Sequence, residues 1–145
     1  MKIKIVWIGK TKQPEIEGLT QDYLKRLRHY AEVEGVAVKD EPAVLKLSSG
    51  DVRPRHTLLL LDSHGKQLSS EEFAHWLADF QQRSVPLLIA IGPADGFSPE
   101  ARKAAGLILS FGKMTMAHEL ARVVLLEQLY RAFTILKGHP YHLGH

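Results

Sequence analysis

Two basic side chains, His118 and Arg122, lie one helical turn apart in a segment whose apolar pattern predicts a helix from residue 117 to about 137. Two cations near the positive end of a helix dipole repel it unless an anion lies between them. The spacing leaves two interpretations open. One is a contact to a phosphate or carboxylate, and the other is a partly buried histidine beside a surface arginine.

A glycine-rich turn, Ile-Gly-Pro-Ala-Asp-Gly, runs from Ile91 to Gly96 between a predicted strand and a predicted helix. Glycine allows the backbone to approach a ligand closely. The turn matches neither the dinucleotide pattern G-x-G-x-x-G nor the phosphate-loop pattern G-x-x-x-x-G-K-[ST]. The residues alone therefore leave a nucleotide-binding loop and an ordinary tight turn as alternatives.

Two carboxylates occupy positions that invite a chemical role. Asp62 follows an apolar run and has the position of a phosphatase nucleophile, but no second acid or hydroxyl constellation accompanies it. We therefore expect Asp62 to bond to loop amides at the edge of a sheet. Glu127 and Arg131 are four residues apart on an otherwise apolar helix, which predicts a structural ion pair in the core or at an interface.

Three histidines near the end of the chain, His139, His142 and His145, have spacing that resembles a set of metal ligands. Pro140 interrupts a helical register between them, and no carboxylate follows. We expect no metal site.

The elements that must position these residues alternate between strand and helix. Buried-strand patterns occur at 2–8, 33–38, 57–62, 85–91 and 106–111, and helical patterns at 14–30, 69–83, 99–105 and 117–137, while 39–55 is predicted to be loop with room for one helical turn. This alternation predicts an α/β fold with a mostly parallel sheet flanked by helices. Ligands bind such sheets outside the carboxyl ends of the strands, where loops 62–66, 92–97 and 111–116 would converge.

Composition bounds the classes of function. The chain has 145 residues, of which 45% are apolar, and this length predicts one domain spanning 1–145. A net charge of +3 suits a polyanionic partner such as RNA without requiring one. The absence of cysteine excludes disulfides, thiolate zinc sites and cysteine nucleophiles. The start lacks the pattern of a signal peptide, and the apolar runs are far shorter than the roughly 20 residues of a membrane span, so we expect a cytoplasmic protein with no membrane partner.

The predicted final helix carries apolar side chains on every face. A surface helix would show a single apolar stripe. A domain this small is not expected to cover the helix on two sides, so the pattern predicts a homodimer formed through it.

Several sequence stretches together resemble one family. These are Leu61, Ile91-Gly92, the run from Leu109 to Met116 (Leu-Ser-Phe-Gly-Lys-Met-Thr-Met), His118, the run from Arg122 to Phe133, and His139-Pro140-Tyr141-His142. They are similar to the bacterial 23S ribosomal RNA (pseudouridine-N3)-methyltransferases, which belong to the SPOUT superfamily of knotted methyltransferases. The likeness spans the whole chain, and the last third is its most specific part.

The resemblance implies a SPOUT-type fold with a deep trefoil knot at the C-terminal end, which general topology rules would not predict. It also implies S-adenosyl-L-methionine as cofactor, bound at the knot. By position, the family's cofactor-binding residues fall on Leu61, Gly92, Phe111, Gly112, Lys113, Met114, Thr115 and Met116. These are the same three loops that the strand-end argument selects.

The resemblance further implies that the substrate is a pseudouridine of 23S ribosomal RNA in assembled ribosomes, methylated in an active site shared across a homodimer. We expect Tyr141 and His142 to contact the target base, with His142 as the proton acceptor. His118 and Arg122 would hold an RNA phosphate or the imide oxygen. A basic helix end would attract RNA regardless of sequence, through Lys25, Arg26 and Arg28.

The chain differs from the family pattern at three places. Pro93 stands where the family usually has a second glycine, and Leu143-Gly144-His145 replaces the basic residue that generally follows the Tyr-His pair. The segment between the second and third predicted strands is also shorter than in many relatives. Three alternatives remain: a catalytically idle RNA- or ribosome-binding module with the same fold, a SPOUT enzyme acting on transfer RNA or another ribosomal site, and an unrelated α/β hydrolase or nucleotide binder. The last would need a nucleophile or phosphate loop that the sequence does not contain.

Overall fold

The computed structural model describes residues 1–50 and 55–143. Five strands form one parallel sheet in the order β2-β1-β4-β3-β5. Their bounds are β1 (Lys2–Ile8), β2 (Glu32–Val38), β3 (Thr57–Gln67), β4 (Leu87–Ile91) and β5 (Leu107–Ser110). The predicted α/β fold with a parallel sheet is confirmed. Residues 51–54 of the predicted loop, and Gly144 and His145 of the tail, lie outside the described residues.

Helices cover both faces of the sheet. Helices α1 (Pro14–Leu27), α3 (Ser70–Arg83) and α5 (His118–Lys137) pack on one face, and α2 (Glu41–Ser49) and α4 (Pro99–Ala104) pack on the other. A sheet covered in this way buries both sides of its central strands, which explains why all five residues of β4 are apolar and buried. None of the helices within 1–50 and 55–143 is long and apolar enough to cross a membrane.

Local sequence signals set several helix ends. A capping box precedes α3, since Ser69 Oγ accepts the Glu72 amide at 3.0 Å and Glu72 Oε1 accepts the Ser69 amide at 2.8 Å. Ser98 caps α4, because its side chain accepts the Ala101 amide. Helix α1 ends at Leu27, three residues before the predicted end at Tyr30.

Two predicted elements need correction. The segment predicted as loop contains the nine-residue helix α2, which Asp40 caps by accepting the Ala43 amide at 3.0 Å, with Pro42 in the first turn where proline is tolerated. Strand β3 extends to Gln67 instead of ending at Asp62, because it resumes its pairing with β5 after a bulge between Leu61 and Lys66.

One copy of the chain covers more of α5 than the sequence argument allowed. Helices α1 and α3 flank it, and Leu125, Leu126 and Leu129 are fully buried. The premise that one copy of the chain would not cover this helix on two sides is therefore wrong. What stays open on this helix is its beginning, where Leu120 is 53% exposed. The homodimer itself stays a prediction.

Candidate functional site

A cleft opens at the carboxyl edge of the sheet, where the bulged part of β3 meets the loops after β4 and β5. It encloses about 480 Å³ of empty space when the open solvent at its mouth is counted. Seven of the eight residues that the resemblance assigns to a cofactor line it: Leu61, Gly92, Phe111, Gly112, Met114, Thr115 and Met116. The eighth, Lys113, does not line the cleft and is exposed. His118 and Ala121, at the start of α5, complete the wall.

Asp62 ties two of these loops together. Its side chain is fully buried, and its two oxygens accept the backbone amides of His64 at 2.9 Å and Phe97 at 3.0 Å. Arg102 on α4 adds an ion pair at 3.2 Å. The expectation that Asp62 bonds to loop amides at the sheet edge is confirmed, and the carboxylate is also part of the cleft wall.

The charge on Asp62 is favoured despite burial. Burial alone would raise the pKa of this carboxyl, but the amides of Phe97 and His64, together with the His64 ring and the Arg102 guanidinium, outweigh it and hold the pKa below its usual value. Asp62 is therefore a carboxylate at neutral pH and acts as an anchor for the loop amides.

Glycines shape the loops where a side chain would not fit. At Gly96, φ is +89°, and a Cβ would lie 2.7 Å from Asp62 Oδ2. At Gly112, φ is +137° with open space around the missing Cβ, so only backbone conformation demands glycine there. Pro93, where the family usually has glycine, contributes no amide to the cleft.

The loop after β5 has backbone amides that are free to donate hydrogen bonds to a ligand. Ser110 Oγ accepts the Gly112 amide at 3.0 Å and lies 3.1 Å from the Ser63 carbonyl, which holds the start of this loop against the bulged part of β3. Further along, the backbone amides of residues 114–116 donate to no acceptor among the described residues. Free amides next to apolar walls such as Leu61 and Ile91 suit a ligand that combines a flat apolar ring with hydrogen-bond acceptors. This donor set fits an adenosyl cofactor.

Arg122 is placed differently from both predictions for it. Its side chain is fully buried, with the guanidinium 4.1 Å from the centre of the Trp7 ring. Its Nη1 donates to Thr11 Oγ1 at 2.8 Å and to Thr20 Oγ1 at 3.3 Å. Burial lowers its pKa from the ordinary arginine value. A guanidinium without exposed surface cannot touch an RNA phosphate, so Arg122 has a structural role and is not a surface arginine either.

The tail residues predicted to contact the base form their own cluster. Glu127 and Arg131 make the predicted ion pair at 2.6 Å. This pair also holds the tail, because Tyr141 Oη donates to Glu127 at 3.3 Å and Arg131 Nη1 lies 3.1 Å from His142 Nδ1. His142 Nε2 lies 2.7 Å from Glu71 on α3.

The contacts of this cluster show which atoms donate hydrogen bonds and which accept them. A guanidinium can only donate, so His142 Nδ1 accepts from Arg131 and its Nε2–H donates to Glu71. Burial and the nearby Glu127 carboxylate raise the pKa of Tyr141 to about 12. Tyr141 is therefore a hydrogen-bond donor at neutral pH.

Cleft and tail do not meet in one copy of the chain. Neither Tyr141 nor His142 lines the cleft. His118, which does, lies nine residues before Glu127 on α5, a separation of about 13 Å along the helix axis. The structure thus brings the predicted cofactor residues together but leaves the predicted base-contacting residues at a second place.

The basic end of α1 also lies away from the cleft. The helix starts at the carboxyl edge and runs about 21 Å back to the opposite edge of the sheet. There Arg26 pairs with Asp22 at 3.2 Å, and Arg28 Nε donates to the Val33 carbonyl at 3.2 Å. In one copy of the chain, Lys25, Arg26 and Arg28 therefore do not flank the cleft.

Comparison with known proteins identifies the fold family. The model of the family described as "Predicted SPOUT methyltransferase" matches residues 1–142. The chain belongs to the SPOUT methyltransferase family. The parallel sheet and the cleft at its carboxyl edge therefore lie within the SPOUT domain of this chain.

Curated relatives in the SPOUT family match over their whole length. A protein of Koribacter versatilis is 53% identical over all of this chain and all of its own. Proteins of Gloeobacter violaceus and Geobacter sulfurreducens are 40% and 38% identical, with at least 98% of each chain covered. All three are named "Ribosomal RNA large subunit methyltransferase H".

A solved structure supports the same fold. The crystal structure of an RNA 2'-O ribose methyltransferase aligns with a TM-score of 0.51 and 14% identity, covering 91% of this chain and 55% of that one. At this identity the likeness bears on fold alone. The chain spans about half the length of that protein. The trefoil knot of the SPOUT fold stays a prediction for this chain.

Ser63 and Ala94 also line the cleft and fall within the predicted loops 62–66 and 92–97, although no pattern separates them from other residues of those loops. Glu127 and Arg131 were assigned to structure, whereas they also hold Tyr141 and His142. Their i, i+4 spacing predicts the ion pair, but nothing in the spacing predicts the tail contacts.

Proposed function

We propose that this SPOUT protein is an S-adenosyl-L-methionine-dependent methyltransferase that methylates N3 of a pseudouridine in 23S ribosomal RNA of assembled ribosomes. The observation that carries the proposal is the cleft, where the loops after three neighbouring strands gather residues that match the family's cofactor pattern. Full-length relatives named for large-subunit ribosomal RNA methylation support the choice of substrate.

In the proposal, the cleft holds the cofactor and excludes water around it. The bound cofactor supplies a methyl group on a sulfonium centre. The free amides of residues 114–116 would hold its polar groups, and Leu61 and Ile91 would pack against its base. Asp62 fixes the relative position of the loops that make this cradle.

The tail binds the target base in this proposal. The imide nitrogen of pseudouridine becomes a nucleophile as its proton is lost, so a proton acceptor must reach it. We assign that role to His142, which would release one of its two present contacts, and we assign stacking and hydrogen-bond donation to Tyr141. His118, on the cleft wall, would hold an RNA phosphate or the imide oxygen.

A homodimer follows from the separation of cleft and tail. A base cannot touch both places about 13 Å apart in one copy, so we propose that the tail of one copy serves the cleft of its partner. The exposed apolar residues around the cleft mouth favour such an interface, with Met114 89% and Leu120 53% exposed. Light scattering at micromolar concentration is expected to give twice the mass of one chain, and a monomer would contradict the dimer.

Three further parts belong to the proposal. The chain forms one domain over 1–145. The loops of the cleft form the SPOUT knot. The protein acts in the cytoplasm, where assembled ribosomes are found.

The proposal is tested by transfer of labelled methyl from S-adenosyl-L-methionine to purified ribosomes that lack the modification, with free subunits and transfer RNA alongside. Label on large-subunit RNA, mapped to a pseudouridine, is the expected result. As a control, Asp95→Asn changes an exposed carboxylate of the loop after β4 that does not line the cleft, and it is expected to leave transfer unchanged. Cofactor binding without transfer to any RNA would refute the proposal in favour of an idle binding module, and label on transfer RNA would refute the substrate.

A further inference from the structure

The loop between β1 and α1, residues 9–13, lies at the same sheet edge as the cleft. All strands are parallel, and β1 is the direct neighbour of β4, whose following loop lines the cleft. Gln13 and His118 border one shallow hollow together with Glu15. His118 is also a wall of the cleft. The loop is therefore separated from the cleft mouth by a single side chain.

This loop has no regular secondary structure, yet α5 holds it at three points. The Glu119 carboxylate accepts the amides of Lys12 at 3.0 Å and Gln13 at 3.2 Å. The buried Arg122 donates to Thr11 Oγ1 at 2.8 Å. The hydrogen bond from the Lys12 backbone amide lowers the pKa of Glu119, which keeps this acceptor charged at neutral pH.

The pinned backbone directs its two lysines outward. Thr11 is turned toward Arg122, while Lys10 and Lys12 are exposed on either side of it. Neither lysine has a carboxylate within 4 Å among residues 1–50 and 55–143. An ordered loop that presents two unpaired ammonium groups to solvent has the character of a polyanion contact, because lysine binds phosphate as a point charge.

We propose that Lys10 and Lys12 bind the RNA backbone on the strand that carries its target nucleotide into the cleft. This inference rests on the proposed function, since it takes RNA as the partner. It gives an electrostatic contact closer to the cleft than the basic end of α1, which the fold carries to the opposite edge. Glu119 and Arg122 are positioning residues that keep the loop in place for it.

The test compares two double variants with equal charge change. Lys10→Gln/Lys12→Gln removes the two loop cations, and Lys46→Gln/Lys103→Gln removes two exposed cations from the last turns of α2 and α4. Each protein is titrated against unmodified large ribosomal subunits over 50–200 mM KCl. Affinity for S-adenosyl-L-methionine, measured by calorimetry, is expected to be the same in all proteins, because none of these lysines lines the cleft.

Each phosphate contact contributes about 0.7 to the slope of log affinity against log salt on single-stranded nucleic acid. The loop variant is therefore expected to have a slope smaller by about 1.4, so its affinity falls about sevenfold less than that of the wild type across this salt range. The control variant is expected to keep the wild-type slope.

An unchanged slope in the loop variant, with wild-type binding intact, would overturn the inference while leaving the methyltransferase proposal in place. Equal changes in both double variants would also overturn it, because they would show a general effect of net charge. A wild-type protein that binds with this lysine-dependent slope but transfers no methyl group would refute the proposed function and support the inference. Absence of wild-type binding at 50 mM KCl would contradict the inference directly.

Discussion

Replacement of the buried Asp62 by alanine should separate the two loops that it joins. The variant removes the acceptor of the His64 and Phe97 amides, which lie 2.9 and 3.0 Å from the carboxylate. The buried Phe97 amide costs about 1–3 kcal/mol when it is left without a partner, and the partly exposed His64 amide costs less. The lost ion pair adds little because Arg102 is partly exposed. We expect Asp62→Ala to lower the free energy of unfolding by about 3 kcal/mol.

Urea unfolding at neutral pH, followed by the fluorescence of the buried Trp7, measures this loss. With a urea slope of about 2 kcal/mol/M, the midpoint should fall by about 1.5 M. Asp62→Asn keeps one acceptor oxygen and should lose roughly half as much. Asp95→Ala, an exposed carboxylate in the same turn region, should stay within about 0.5 kcal/mol of the wild type.

Cofactor affinity gives a second reading of the same variants. Asp62→Asn should remain folded at low urea and bind S-adenosyl-L-methionine more weakly, because the loop that includes Gly92 loses part of its anchor. A loss of less than 1 kcal/mol in Asp62→Ala, or unchanged cofactor affinity in Asp62→Asn, would refute the view that this carboxylate organises the cleft.

Three other predictions follow from the contacts. The fold lowers the pKa of Asp62, so its stabilisation is present above the ordinary aspartate pKa of about 4 and is lost as pH falls below that value. The difference in urea midpoint between the wild type and Asp62→Asn should therefore disappear at acid pH. Tyr141→Phe should leave the shape of the pH–rate profile between pH 6 and 9 unchanged, because the pKa of Tyr141 is about 12, and an altered ionisation would contradict its assignment as a donor. In urea unfolding, Arg122→Met should lower the free energy of unfolding by about 2 kcal/mol, and Arg122→Ala should lower it clearly more, because methionine still fills the space over Trp7. Equal losses in the two variants would contradict a packing role for this side chain.

The fold could be predicted from the sequence because its signals are local. Apolar runs such as residues 87–91 predict strands covered on both faces, and Ser69 with Glu72 marks the start of a helix. Helix α2 was missed because Pro42 and its short length resemble a loop, although proline in a first turn is compatible with a helix.

The part of the site that could not be predicted depends on contacts between distant segments. Arg122 is buried by Thr11 and Thr20, which lie 111 and 102 positions away in the chain. His142 is held by Glu71, which lies 71 positions away. Patterns within one helix report which face is apolar, but they do not report which loop will cover a particular arginine. The extension of β3 is similar, because its polar residues pair with β5 only after a bulge.

The cleft residues could be predicted from the sequence only in part. The loops were predicted because ligands bind outside the carboxyl ends of parallel strands, and the residues within those loops were predicted from the family resemblance. Lys113 does not line the cleft, whereas the other residues of the run from Phe111 to Met116 do. In an irregular loop, the hydrogen bonds that hold the backbone, here those between Ser110 and Gly112, determine which side chains face the cleft. No sequence period determines it.

In the proposed dimer, one active site combines the cleft of one copy with the tail of its partner, and a mixed dimer tests this arrangement directly. Gly112→Val strains the loop after β5, where φ is +137°, and disables the cleft without a core clash. His142→Ala disables the tail. Each variant alone should transfer no methyl group to ribosomes lacking the modification.

After the two variants are unfolded together and refolded, half of the dimers are mixed, and each mixed dimer has one intact site. Methyl transfer should recover to about a quarter of the wild-type rate. Recovery at this level is the predicted result. An equimolar mixture that stays inactive, although light scattering shows dimers and both variants are folded, would contradict a site shared between two copies.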